Sequence, residues 1–176
     1  MLTVGRELKT ESYLHSCLQA KMAEIRTAGE ADPPAILEVY NHAIATTTAV
    51  FSYHPHTLEM RREWFQAKQA AGHPVLVATV DNEVAGFATY GPFRVWPAYK
   101  YTIENSVYVA ERARRRGVAR ALMNALLAEA RQREYHAVIA GIVADNLPSL
   151  RLHQSLGFVE VAHFREWVTS SDAGSI

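Results

Sequence analysis

The chain carries a single cysteine, Cys17, in 176 residues, which excludes an intramolecular disulfide and a cysteine-rich metal site and fits a reducing cytoplasm. It has no excess charge of either sign, since 18 Lys and Arg stand against 18 Asp and Glu. No global field therefore gathers nucleic acid or an anionic membrane, and the arginines between Arg112 and Arg116 are a local feature. No apolar run approaches the ~20 residues of a membrane span, and the first residues lack the uninterrupted apolar core of a secretion signal. Internal repeats are missing as well. What is present is an apolar fraction of 49%, enough for one domain with a real core in a length that would cramp two.

Residues 1–21 have mixed polarity and no period, and read as a flexible extension before a domain over 22–166. Ala23 to Thr27 suits a first strand. Asp32 followed by Pro33 is a helix-start signal, with Asp32 as the cap and Ile36, Leu37, Tyr40 and Ile44 along one face. Thr46 to Thr48 ends that helix, and Thr57 caps a second one carrying Leu58, Trp64 and Phe65. Pro74 to Val80 and Val84 to Tyr90, joined by Asp81 and Asn82, read as a tight antiparallel hairpin. Gly91 to Lys100 is too long for a tight turn and too aromatic for a solvated linker, so it is expected to be a binding loop. Then come a strand at Tyr101 to Val109, a helix at Val118 to Arg133, a strand at Ala137 to Val143, a helix at Asp145 to Leu156 and a last strand at Phe158 to Ala162. Strand, helix, strand implies a right-handed crossover between parallel neighbours.

The stretch from Ser106 to Asn124 sets a strand, a basic turn and an amphipathic helix end to end. At such a helix start the free N–H groups and the macrodipole favour an anion, and Gly117 allows close approach to the backbone. A solvated basic turn ahead of a core helix explains the spacing equally well. Glu104 shares a strand face with Ser106 and Tyr108, opposite Ile103, Asn105 and Val107. A carboxylate inside an apolar strand is either paired with a cation or used.

Arg114, Gly117 and Ala119 form an R-x-x-G-x-A signature, and Asn146, Ser149, His153, Gly157 and Phe158 form a second run. With the order of elements, these residues resemble the GNAT N-acetyltransferases, and Gly91 to Val109 is similar to the phosphinothricin and methionine sulfoximine acetyltransferase branch. The resemblance covers about Ala23 to Glu166. It implies an α/β (α+β) fold with a mixed central sheet, a splay between two parallel strands and helices on both faces. It also implies a cytoplasmic, homodimeric enzyme that moves acetyl from acetyl-CoA directly to the α-amino group of a small amino acid or analogue.

The cofactor would lie over Arg114, Arg115, Arg116, Gly117, Val118 and Ala119, beside Val107, Tyr108 and Val109, with Asn146 and Ser149 on the opposite wall. Asn146 serves equally as a helix cap. The resemblance makes Glu104 the general base, gives the Val107 N–H to the thioester oxygen, and gives His153 a proton-transfer role that competes with a structural one. For the substrate it points to Phe51, Arg94, Tyr99, Tyr101 and Glu104. Trp96 stands where some relatives have a second basic residue. After Glu166 the likeness stops, and 167–176 reads as an atypical polar tail where relatives have a final strand. A truncation or frame change is expected there. The rival reading is a catalytically impaired acyl-CoA-binding or assembly protein; a nucleic-acid module on the arginines lacks a stacking motif.

Overall fold

The computed structural model describes residues 23–47, 49–50 and 52–164. The extension, Phe51 and the tail lie outside the described residues. Within them, five strands form one sheet in the order β1-β2-β3-β4-β5. These are β1 (Glu24–Thr27), β2 (Val75–Val80), β3 (Glu83–Pro92), β4 (Thr102–Val109) and β5 (Ala137–Ile139). The helices are α1 (Pro33–Thr46), α2 (Leu58–Ala70), α3 (Val118–Gln132) and α4 (Leu147–Ser155). Pairing is antiparallel except between β4 and β5, which run parallel.

β2 explains the layering. Its alternate residues Val75 and Val77 enter a core with Ile36 and Val39 of α1 and Phe65 of α2. Leu76, Ala78 and Val80 enter another with Leu122, Met123 and Leu126 of α3. Covered on both faces, the strand reads as the nearly continuous apolar run VLVATV. Each fully buried leucine of α3 contributes about 1.5–3 kcal/mol of burial free energy. The β2–β3 turn places Asp81 and Asn82 at φ 54° and 66°, the left-handed pair that closes a two-residue hairpin along the strands' own twist.

Three expectations need correction. Asp32 precedes α1 but makes no side-chain cap. Its carboxylate takes a bidentate pair from Arg26 at 2.7 and 2.8 Å and the Gly29 N–H at 2.7 Å, and its own backbone is already helical at φ −85° and ψ −23°, unlike that of a capping residue. The Arg26 guanidinium accordingly holds the Asp32 carboxyl below its ordinary range. β5 ends at Ile139, because β4 leaves it there and no other described strand pairs beside it. Phe158 to Ala162 is not a strand, and Val159 and Val161 lie exposed. An extended segment without a ladder partner has no place to spend its backbone hydrogen bonds except water.

Candidate active site

β4 and β5 pair only through Thr102 with Ala137, Ile103 with Val138 and Glu104 with Ile139, then separate. On the other side β4 stays in unbroken register with β3 from Ile103 to Val109. Phe93 N–H donates to Thr102 O, and Ala110 N–H donates to Ala85 O. In an antiparallel ladder the bonded residues alternate, so the even-numbered residues of β4 spend their backbone groups on β3. The odd-numbered residues point the other way: the Glu104–Ile139 pairing takes up the Asn105 N–H, while the C=O of Asn105 and the N–H and C=O of Val107 and Val109 face the opening left by β5. The backbone groups of Val107 and Val109 thus face the opening, whereas those of Tyr108 face β3. The Tyr108 ring packs against Tyr40 at 5.4 Å and Phe87 at 5.1 Å.

At the far end of the opening, Gly117 sits at φ 79° as the left-handed residue before α3, with no side-chain cap and nothing within 4 Å of the place a Cβ would take. Arg115 is left-handed too, at φ 59°. The first helical bond runs from Ala121 N–H to Gly117 O at 3.0 Å, leaving the N–H groups of Val118, Ala119 and Arg120 without a partner among the described residues. Arg114, Arg115 and Arg116 are exposed around this turn.

Glu104 is exposed, so water can solvate its carboxylate, and it has no hydrogen bond or ion pair with a described residue. Its Oε1 lies 3.2 Å from the place a Cβ would take on Gly141. On the Glu104 face, α2 contributes two cations that the sequence reading passed over. Arg61 is only 2% exposed, 3.8 Å from the Tyr40 ring centre and 4.6 Å from that of Trp64. Its Nη2 lies 3.3 Å from His56 Nδ1. Lys68 donates to Tyr90 O at 2.8 Å and fills the space above Gly91, the cross-strand partner of Glu104. Burial lowers the pKa of both cations. Their signal was present: 61, 65 and 68 fall on one helical face with buried Phe65. Burial also pushes the Tyr108 phenol up to about 12.

In the loop, Arg94 lies over Phe93 at 4.2 Å and Tyr99 meets the same ring edge-on at 5.7 Å. Tyr101 is not part of this group; it packs on His136 at 5.4 Å. Asn146 caps α4 by accepting the Ser149 N–H at 3.2 Å. His153 is 4% exposed, with Nδ1 2.9 Å from Ser149 O and Nε2 3.2 Å from Asn105 Nδ2. Burial lowers its pKa against a smaller opposing effect of the Ser149 carbonyl. Both ring nitrogens are thus engaged within the protein, which counts against the proton-donor role expected for it.

The sequence matches the family model described as "Acetyltransferase (GNAT) family" over residues 36–158. It is 41% identical, over 78% of its length and 81% of the relative's, to the L-methionine sulfoximine/L-methionine sulfone acetyltransferase of Salmonella typhimurium. It is 37% identical to the phosphinothricin N-acetyltransferase of Streptomyces viridochromogenes over 80% of its own length and 76% of that protein's. Among solved structures, a Salmonella typhimurium protein determined with its cofactor acetyl-CoA superposes with a TM-score of 0.82 at 38% identity, covering 85% of this chain and 86% of that one.

Proposed function

The chain belongs to the GNAT acetyltransferase family, and from that premise we propose that it acetylates the α-amino group of a small amino acid or analogue of the methionine sulfone, methionine sulfoximine or phosphinothricin type. The observation that carries this reading is the Glu104 carboxylate, unpaired among the described residues, beside a strand edge where the N–H groups of Val107 and Val109 have no described strand partner. The protein is an enzyme with acetyl-CoA as its acyl donor. The residues present fit that group: a left-handed glycine with open space and, among the described residues, three helix N–H groups without a partner and open backbone positions at Val107 and Val109.

When bound, acetyl-CoA supplies an electrophilic thioester carbonyl. In this reading Val118 and Ala119 hold its pyrophosphate with their N–H groups, and Arg114, Arg115 and Arg116 supply the surrounding positive charge. Asn146 and Ser149 shape the opposite wall. Val107 N–H supplies a donor for oxygen that gains negative charge, a contribution that grows in a water-poor site. Glu104 takes a proton from the substrate ammonium, because an amine attacks only when unprotonated. Arg94, with Tyr99 beside it, receives the substrate's anionic end through its guanidinium. We assign Tyr101 to the base of the loop, and His153 to positioning rather than proton donation. The reading extends to a cytoplasmic homodimer with its catalytic domain over 22–166.

The test is coenzyme A release from acetyl-CoA with each of those three amines. Turnover of at least one, with acetylation of the amine verified by mass spectrometry, is expected. Coenzyme A binding without turnover of any of them would overturn the amino-acid reading.

A further inference from the structure

Between β4, α3 and α4 the chain commits a row of polar groups and leaves the last one unspent. A carbonyl oxygen can only accept, so the contact of 2.9 Å between Ser149 O and His153 Nδ1 places the imidazole proton on Nδ1. A neutral imidazole then offers a lone pair at Nε2, which takes a hydrogen from Asn105 Nδ2 at 3.2 Å. This fixes the direction of the Asn105 amide. Its NH2 faces His153 and Met123 Sδ, the latter at 3.6 Å, and its Oδ1 faces away from them. Asn105 is only 7% exposed, yet Oδ1 has no hydrogen-bond partner among the described residues. A buried acceptor without a donor costs free energy, and such atoms call for a completing group.

The position narrows what that group is. Asn105 is the first β4 residue beyond the last β4–β5 pair, Glu104 with Ile139, so it stands where the opening begins. The group must be a donor, because only Oδ1 is left. It must be neutral, because an ammonium among Met123, His153 and the α3 core would be stripped of water with no countercharge. The amine-handling carboxylate of Glu104 lies on the opposite face of the strand. We propose that Asn105 Oδ1 accepts a hydrogen bond from an amide N–H of the pantetheine arm of acyl-CoA, making Asn105 a cofactor-contact residue and His153 the residue that holds it in the accepting orientation. The inference rests on the acetyl-CoA reading above and adds two side chains to it.

Nuclear magnetic resonance on the full chain tests this without activity. Coenzyme A, ADP and methionine sulfone are added in turn while the amides of Val118 and Ala119, the Asn105 side-chain Cγ and NH2 signals, and the His153 ring nitrogens are followed. Coenzyme A and ADP should both move Val118 and Ala119; only coenzyme A should move the Asn105 Cγ, in the direction of a new hydrogen bond to its oxygen. His153 should carry its proton on Nδ1 throughout. Replacement Asn105→Leu should weaken coenzyme A binding by about 2- to 10-fold, the worth of one hydrogen bond, and leave ADP binding unchanged. A stationary Asn105 while Val118 and Ala119 move overturns this proposal alone, as does a response to methionine sulfone instead, or a His153 proton on Nε2. Stationary Val118 and Ala119 with coenzyme A overturn the cofactor reading and this proposal with it.

Discussion

The two faces of β4 are built from alternate residues of one eight-residue strand, and they meet different chemistry. Glu104, Ser106 and Tyr108 face α1 and α2, where Arg61 and the rings of Tyr40, Trp64 and Phe87 gather. Ile103, Asn105, Val107 and Val109 face α3 and α4, where Leu122, Met123 and Leu126 exclude water and His153 supplies the polar contact. A strand gives such a division without added structure, because consecutive side chains point to opposite sides. One face suits a charged amine and its base. The other, with an open backbone edge beside it, suits an uncharged arm.

Crowding one face should separate it from the other. A Cβ at Gly86 would stand 2.7 Å from Tyr108 O and 3.2 Å from Val109 Cα, both backbone atoms with little freedom to move. Gly86→Ala should cost about 1–3 kcal/mol of stability, read as a lower Tm, and should weaken coenzyme A binding through the displaced Val109 edge. An unchanged Tm would show that β3 and β4 are less tightly held than their register implies.

A smaller effect compares the faces through their buried and half-buried histidines. Burial lowers the pKa of His56 on the α2 side and of His153 on the α4 side, and that of His73 as well. Each therefore binds fewer protons folded than unfolded just below the ordinary value of 6.5, so stability falls as pH drops through that value. Thermal melts at about pH 5.5 and about pH 7.5 should show a lower Tm in acid. His56→Gln and His153→Gln should each reduce that difference; if only one does, the acid response belongs to one face.

Much of this was legible in the sequence, where the signals are local. The Asp81-Asn82 hairpin, the Thr57 cap, the start of α3 after Gly117 and the alternation around Glu104 all came from spacing and side-chain chemistry, and all are present in the fold. What escaped was non-local. Asp32 has the form of a helix cap, but Arg26 reaches it from β1. Arg61 and Lys68 read as solvated charges until their neighbours on α2 are seen to be buried. Tyr108 had to be separated from Val107 and Val109 by the β3 ladder, because no sequence states which backbone edge a residue presents. His153 was visible as a titratable residue, but its engagement depends on Asn105, 48 positions away.

The division of labour between the faces is tested most directly by Glu104→Gln, measured for turnover and for coenzyme A affinity in the same preparation. The substitution keeps size and removes the base. At neutral pH kcat should fall by about a hundredfold or more, with partial recovery at high pH where the amine deprotonates unaided, while the Kd for coenzyme A stays within about twofold. A kcat that is unchanged, or a loss of coenzyme A affinity that matches the loss of turnover, would contradict that division.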